Sequence, residues 1–370
     1  MPTIHVHLAG AATADRSYDI QIGAGVIGEI GAAVARREGR RAVVISDAAV
    51  AAHAQAARAS LTAAGIDTTT VSVPSGEASK SLAEAGRLWD ALAAQATDRQ
   101  THIVAVGGGV VGDLAGFVAA TFARGLPVWQ VPTTLVAQVD SAIGGKTGIN
   151  LAAGKNLVGC FWQPSGVIAD IDTLTTLPDR EFTSGLAEVV KYGMILDAEF
   201  FAWLEGHAAD LVARDPQALV HAVQRSAALK ARVVAEDERE ETGLRAVLNY
   251  GHTFAHAFET AAGYGTLLHG EAVSIGMVCA ARLAKRLGRI SSDLIARQDA
   301  LLAACRLPLA VPALTASTDD LLAIMARDKK SLAGRLRFIL PDRIGHVELV
   351  ADIDPHLVRS ILSSERAGPG

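Results

Sequence analysis

The sequence predicts an α/β N-terminal domain built on a parallel sheet, followed by a mostly α-helical C-terminal domain. Three observations carry that expectation. Short β-rich runs alternate with helical stretches through the first half, strand signals thin out after Pro178, and a glycine-rich turn follows one of the early strands. Alternating strand and helix implies strands in parallel with helices on the faces of the sheet. At 370 residues the chain exceeds the usual single-domain size, so two domains sharing a cleft are expected, residues 1–178 and 179–370.

Taken in order, Met1–Leu8 alternates as a strand does. Arg41–Asp47 is the continuous apolar run of a buried parallel strand, Ala48–Ala64 is helical and closed by Gly65, and Thr68–Val73 is the next strand. His102–Val106 and Val128–Pro132 continue the series, with helices over Ser81–Gln95 and Asp113–Arg124. Long helical segments then follow over Arg180–Tyr192, Ala198–Ala213, Pro216–Glu236, Thr242–Ala262 and Gly270–Arg286. Near the end, Arg335–Leu340 and His346–Val350 alternate across a Pro341–Gly345 turn and read as a small hairpin.

Composition narrows the function classes. Half the residues are apolar and a fifth charged, which fits a compact enzyme and excludes a disordered or fibrous chain. A net charge of −5 leaves no electrostatic footprint for nucleic acid. Cys160, Cys279 and Cys305 are widely separated and form no disulfide framework, which points to a reducing cytoplasm. The N-terminus has no secretory pattern, and the longest uncharged apolar run, Ala272–Ala281, is far short of the roughly 20 residues a membrane span needs. A soluble cytoplasmic protein is expected.

The densest chemistry lies in Asn249–Glu259, NYGHTFAHAFE, and Leu268–Glu271, LHGE. His252 and His256 stand one helical turn apart on a shared face. Upstream, Gly185–Gly193 sets Glu188 and Lys191 into an otherwise apolar helix. A divalent metal is the simplest reason to gather Glu188, His252 and His269, because two imidazoles and a carboxylate leave a coordination position free, as catalytic zinc requires. Spacing alone leaves both His256 and His269 open as the second imidazole.

Gly107–Asp113, GGGVVGD, follows a strand and opens a helix. Glycines there let backbone N–H groups approach a pyrophosphate at a helix N-terminus, giving the sheet a Rossmann-like, nucleotide-binding character. No acid ends the next strand, and Asp47, ending an earlier one, is the candidate for the ribose. A polar run, Gln138–Gly148, leads into Gly154-Lys155-Asn156. Lysines set among glycines suit a loop that holds phosphate, so a small, oxygen-rich, anionic substrate is expected.

Assembled, these segments resemble the 3-dehydroquinate synthase family of the sugar phosphate cyclases. The resemblance runs from about Tyr18 to Leu349. It is carried by Gly107–Asp113, Val131–Asp140, Gly144–Thr147, Gly154–Leu157, Gly185–Gly193, Leu248–Glu259 and Leu268–Met277. It implies a homodimer with an N-terminal NAD-binding domain, a C-terminal helical metal-binding domain and an active site between them. The implied ligands of one zinc or cobalt ion are Glu188, His252 and His269, which leaves His256 for substrate or proton transfer. Cofactor positions carry over as Asp47, Ser75, Gly76, Glu77 and Lys80, then Gly109, Val110, Val111, Gly112 and Asp113. Thr133, Thr134, Lys146, Lys155, Thr173, Leu174, Thr175 and Thr176 complete that set. Substrate positions are Arg124, Asp140, Lys146, Asn156, Lys191, Lys230, Arg245, Asn249, His256 and one of Lys329 and Lys330.

Ala49, Leu151-Ala152 and Ala255 depart from the family's frequent asparagine, His-Pro and glycine. The implied reaction turns 3-deoxy-D-arabino-heptulosonate 7-phosphate into 3-dehydroquinate and phosphate, in the shikimate pathway of aromatic amino acid biosynthesis. It runs through transient oxidation by NAD, phosphate elimination, re-reduction and intramolecular aldol closure. Alternatives are a cyclase acting on sedoheptulose 7-phosphate, a metal-dependent polyol dehydrogenase and a non-catalytic nucleotide sensor. Arg245 and Asn249, read as lying on one helix with His252 and His256, favour, together with Lys230, a substrate bearing a carboxylate.

Overall fold

The computed structural model describes residues 15–263, 266–311, 314–327 and 336–364. The expected strand at Met1–Leu8 and the Lys329/Lys330 pair lie outside them. Strand β1 (Ile20–Gly23) is followed by helix α1 (Ile30–Arg36), β2 (Arg41–Asp47), α2 (Ala51–Ala63), β3 (Asp67–Val73) and α3 (Leu82–Ala94). Next come β4 (His102–Gly107), α4 (Gly109–Thr121) and β5 (Val128–Pro132). A hairpin of β6 (Lys146–Leu151) and β7 (Gly154–Phe161) then leads to β8 (Gly166–Asp170).

Six strands form one parallel sheet in the order β3-β2-β4-β5-β8-β1. The four central strands, β2, β4, β5 and β8, are buried nearly end to end because both faces are covered, whereas edge strand β3 keeps exposed polar residues. Alternate residues of a strand point to opposite faces, so Val43 and Ile45 of β2 pack with α3 and α4, while Ala42 and Val44 pack with α1 and α2. The chain runs outward from β2 to β3 and returns to place β4 on the other side of β2. That reversal opens a crevice beyond the carboxyl ends of β2 and β4.

From Asp179 onward helices dominate: α5 (Asp179–Leu196), α6 (Ala198–Val212), α7 (Pro216–Glu236), α8 (His252–Ala262), α9 (His269–Arg286), α10 (Ser292–Ala304) and α11 (Thr318–Arg327). A hairpin, β9 (Phe338–Arg343) with β10 (His346–Val350), and helix α12 (Pro355–Ser364) follow. Their shared core includes Leu186, Val190, Phe254, Phe258, Ile275 and Phe338. Among the described residues, no helix is long and apolar enough to cross a membrane.

The structure departs from the sequence reading in places that shape the site. Thr242–Ala262 is not one helix. A 3₁₀ turn covers Leu244–Asn249, Gly251 takes φ 80°, and α8 starts only at His252. The break has a packing cause, since a Cβ on Gly251 would stand 2.8 Å from the Met277 nitrogen, and one on Gly276 would stand 2.2 Å from the Gly251 carbonyl oxygen. The chain bends where it crosses α9. Likewise the polar run after Gln138 is not an open loop but a π-helical turn over Ala137–Ser141 followed by β6. Helix α4 begins four residues earlier than expected, at Gly109 inside the glycine run, and ends at Thr121.

Candidate active site

Glu188 lies on α5 and is fully buried, and His252 and His269 are the first residues of α8 and α9. Two small-residue contacts bring them together. A Cβ on Gly270 would fall 1.8 Å from the Ser184 carbonyl oxygen, so α9 meets α5 one turn before Glu188, and the Gly270 N–H donates to Ser184 Oγ at 3.0 Å. Gly251 does the same for α8 against α9. The outcome is a three-residue set whose potential ligand atoms all lie within 4.8 Å of one another. His269 Nε2 is 3.3 Å, and His252 Nε2 3.7 Å, from Glu188 Oε1.

This geometry fits a divalent cation. Both Glu188 oxygens are buried; Lys191 forms an ion pair with one of them, and the His269 and His252 imidazoles face the other. Burying a carboxylate in this way is costly unless a cation compensates it. Burial disfavours the His269 imidazolium, but Glu188 and Glu259 outweigh it and push its pKa up to about 10. The acids therefore demand positive charge between them, which a proton or a metal ion can provide. His256 is set edge-on to His252, with ring centroids 5.6 Å apart.

Beside this set lies a band of buried charge. Lys230 Nζ donates to the Asp140 carboxylate at 2.7 Å and to its carbonyl at 2.6 Å, and the Tyr192 hydroxyl donates to the same carboxylate at 2.8 Å. Burial raises the Asp140 pKa, but the Lys230 and Lys191 ammonium groups win and hold it well below the usual carboxylate range. Burial conversely lowers Lys230, with Asp140 opposing. Arg245 is 2% exposed; it donates to the Glu238 carbonyl at 2.8 Å, lies 3.6 Å from Glu240, and is packed behind Gly144. Lys146 pairs with the same Glu240. Asn249 occupies the 3₁₀ turn, so Arg245 and Asn249 share a different element from His252 and His256.

The expected cofactor positions fall on one edge of the sheet, except Lys146 and Lys155, which lie on the β6/β7 hairpin. Asp47 ends β2; Ser75, Gly76, Glu77 and Lys80 follow β3; Gly109–Asp113 follows β4; Thr133 and Thr134 follow β5; and Thr173–Thr176 follows β8. All five segments leave the carboxyl ends of parallel strands, where open α/β sheets bind ligands. A Cβ on Gly108 would stand 2.9 Å from Thr134 Cγ2, and one on Gly109 would stand 2.9 Å from Ser141 Oγ, so backbone replaces side chain at the start of α4. Its first N–H groups have no partner within the helix, and the buried Thr133 and Ser141 hydroxyls have none among the described residues. Those orphan donors fit a dinucleotide phosphate. Lys80 ties the edge together, donating to Asp113 at 2.6 Å and to Asn156 at 2.5 Å on β7, which also carries Lys155.

Arg124 is the exception. It follows the C-terminal end of α4, whose 13 residues span about 20 Å, so it stands at the far end of that helix from the glycine turn. Sequence reasoning in turn missed Tyr192, Glu240 and Glu259. Glu259 had a signal, the i, i+4, i+7 spacing with His252 and His256 that puts all three on one helix face. Tyr192 and Glu240 had none, being an aromatic in an apolar helix and one acid in a charged run.

Comparison with known proteins agrees with this architecture. Residues 70–184 match the family described as 3-dehydroquinate synthase N-terminal, and residues 185–331 the one described as 3-dehydroquinate synthase C-terminal. The 3-dehydroquinate synthase of Rhodopirellula baltica is 54% identical over 328 residues, 88% of this chain and 87% of that one. Among solved structures, a 2-deoxy-scyllo-inosose synthase complexed with carbaglucose-6-phosphate, NAD+ and Co2+ superposes with TM-score 0.84 at 28% identity, covering 94% of this chain and 96% of that one. The 2-epi-5-epi-valiolone synthase of Streptomyces hygroscopicus subsp. jinggangensis, with NAD+ and Zn2+ bound, gives TM-score 0.85 at 28% identity with the same coverage, 94% and 96%. The glycine turn, the buried cation band and the Glu188/His252/His269 set all lie within the matched segments, and the chain belongs to the 3-dehydroquinate synthase family.

Proposed function

We propose that this chain converts 3-deoxy-D-arabino-heptulosonate 7-phosphate into 3-dehydroquinate and phosphate, using NAD and one divalent metal ion, zinc or cobalt. The observation that carries this reading is the Glu188/His252/His269 set beside buried Lys191, Lys230 and Arg245 in a chain of this family. When bound, the metal supplies Lewis-acid polarisation of substrate oxygens and NAD supplies temporary acceptance of a hydride, as the NAD+, Co2+ and Zn2+ in the related cyclases suggest.

The chain's own residues do the rest. Glu188, His252 and His269 hold the ion. Asp140 fixes the Lys230 ammonium through two hydrogen bonds, so that charge faces the substrate without reorganising. Lys146, Lys155 and Asn156, on the β6/β7 hairpin, hold the phosphate. Arg245 and Asn249 take the carboxylate, and His256, next to His252, moves a proton at its imidazole nitrogen. The carboxyl-edge segments from Asp47 to Thr176 hold the dinucleotide. Residues 1–178 and 179–370 act as two domains closing on this cleft. In a cytoplasmic homodimer Arg124, at the far end of α4 from the glycine turn, contributes to the substrate site.

The test is to give the purified chain the heptulosonate phosphate with NAD and zinc and follow phosphate release alongside absorbance of free NADH. Phosphate should appear while NADH absorbance stays flat, since the hydride returns within each turnover. Stoichiometric NADH accumulation would assign a polyol dehydrogenase instead.

A further inference from the structure

Glu259 sits on α8 seven residues after His252 and three after His256, on the same helix face. Its carboxylate has only 14% side-chain exposure and stands 3.4 Å from His269 Nδ1, while His269 Nε2 is 3.3 Å from Glu188. The ring is strung between two carboxylates. His252 has the same arrangement with a different acceptor, its Nδ1 3.1 Å from the Tyr250 carbonyl and its Nε2 3.7 Å from Glu188. A metal-bound imidazole almost always gives its other N–H to a carboxylate or carbonyl, which fixes the tautomer, orients the ring and makes the ligand more basic. The acceptor behind His252 is backbone, anchored by the buried Tyr250 side chain and its 2.7 Å hydrogen bond to Gln298. The acceptor behind His269 is a side chain, so one substitution can release that ring.

We infer that Glu259 is the positioning residue of the metal site: it accepts the Nδ1 proton of His269 and turns Nε2 toward the point shared with Glu188 and His252. The inference rests on the metal-dependent reading above.

The experiment uses the full-length chain as wild type, Glu259→Ala, Glu259→Gln and His269→Ala, each stripped of metal. Cobalt dissociation constants come from competition with a chelator, ligand-field spectra from titration with Co2+, and apo-protein melting temperatures from calorimetry. Glu259→Ala should weaken cobalt binding by about 10- to 100-fold and change the spectrum, and the apo melting temperature separates that loss from the stability the metal-free protein loses with the Glu259–His269 pair. Glu259→Gln, whose side-chain oxygen still accepts from Nδ1, should recover part of the affinity. Should the alanine variant not fold, the glutamine variant decides by the same two readouts. If wild type takes up no cobalt, or His269→Ala binds it as tightly as wild type, the metal reading itself fails. If His269→Ala loses the ion while both Glu259 variants bind within about threefold of wild type with an unchanged spectrum, the positioning role is overturned and the metal site stands.

Discussion

Replacing Arg245 with alanine tests what selects the substrate. The guanidinium is 2% exposed, so solvent screens it little, and its Nε has no hydrogen-bond partner among the described residues. A planar fork of that kind can bind a carboxylate through two parallel N–H···O bonds. Removing one partner of a buried pair costs about 3–5 kcal/mol, which at about 1.4 kcal/mol per decade is a loss of roughly 10²- to 10⁴-fold in kcat/KM. Folding should suffer less. Glu240 keeps its ion pair with Lys146 when Arg245 is gone, and the Glu238 carbonyl loses one donor at a partly exposed position. Arg245→Ala should therefore bind zinc at wild-type stoichiometry while losing most turnover of the heptulosonate phosphate. Arg245→Lys should restore charge without the fork and recover only part. The assay is steady-state phosphate release, with metal content measured on the same samples and sedoheptulose 7-phosphate as the comparison substrate. A site built around a carboxylate rejects an analogue lacking it by a factor on the order of 10⁴. Retention of kcat/KM within about tenfold in Arg245→Ala, or similar specificity constants for the two sugars, would refute the reasoning.

The other expectations concern what positions the site. Gly270→Ala puts a methyl group where the Ser184 carbonyl oxygen lies 1.8 Å away, so the start of α9 must shift; overpacking of about 1–3 kcal/mol and weakened metal binding should follow, and calorimetry with metal titration showing neither would count against this account of the helix contact. Asp237 accepts N–H bonds from Glu241, Thr242 and Arg245, at 2.8, 3.1 and 3.2 Å. Burial raises its pKa, but these donors prevail and hold it at about 2, so the stability it contributes is complete above the ordinary aspartate value near 4 and is lost as pH falls toward 2. Asp237→Asn should flatten that part of the melting-temperature profile, and an acid limb parallel to wild type would exclude the role.

The strands and helices most legible in the sequence were those whose pattern has a single physical reading. Arg41–Asp47 and Val128–Pro132 match β2 and β5 to the residue, because a strand covered on both faces is largely apolar on both and so does not alternate. Pro216–Glu236 matches α7, whose start is marked by Asp215 accepting from Gln217 and Ala218 ahead of a proline at the first turn. By contrast β7 was invisible. Most of its residues face outward, and a glycine- and lysine-bearing ribbon has the composition of a loop. The break at Gly251 was equally hidden, since Val247, Leu248, Phe254 and Phe258 keep a helical apolar period across it and only the crossing of α9 forces the bend.

The site was legible to the extent that its residues broke local rules. An acid and a lysine inside the apolar run Gly185–Gly193 have no reason to be there unless paired, and the structure pairs them at the point where two imidazoles arrive. What spacing could not decide was the second imidazole, because His256 shares a helix face with His252 whereas His269 lies on another element. That choice depends on Gly270, which lets α9 come up against Ser184 and sets His269 Nε2 3.3 Å from Glu188. A periodicity argument favours neighbours on one helix, but a contact between two helix starts depends on the absence of a side chain. For a candidate three-ligand site assembled from α5, α8 and α9, the glycines before His252 and after His269 are thus as informative as the histidines themselves.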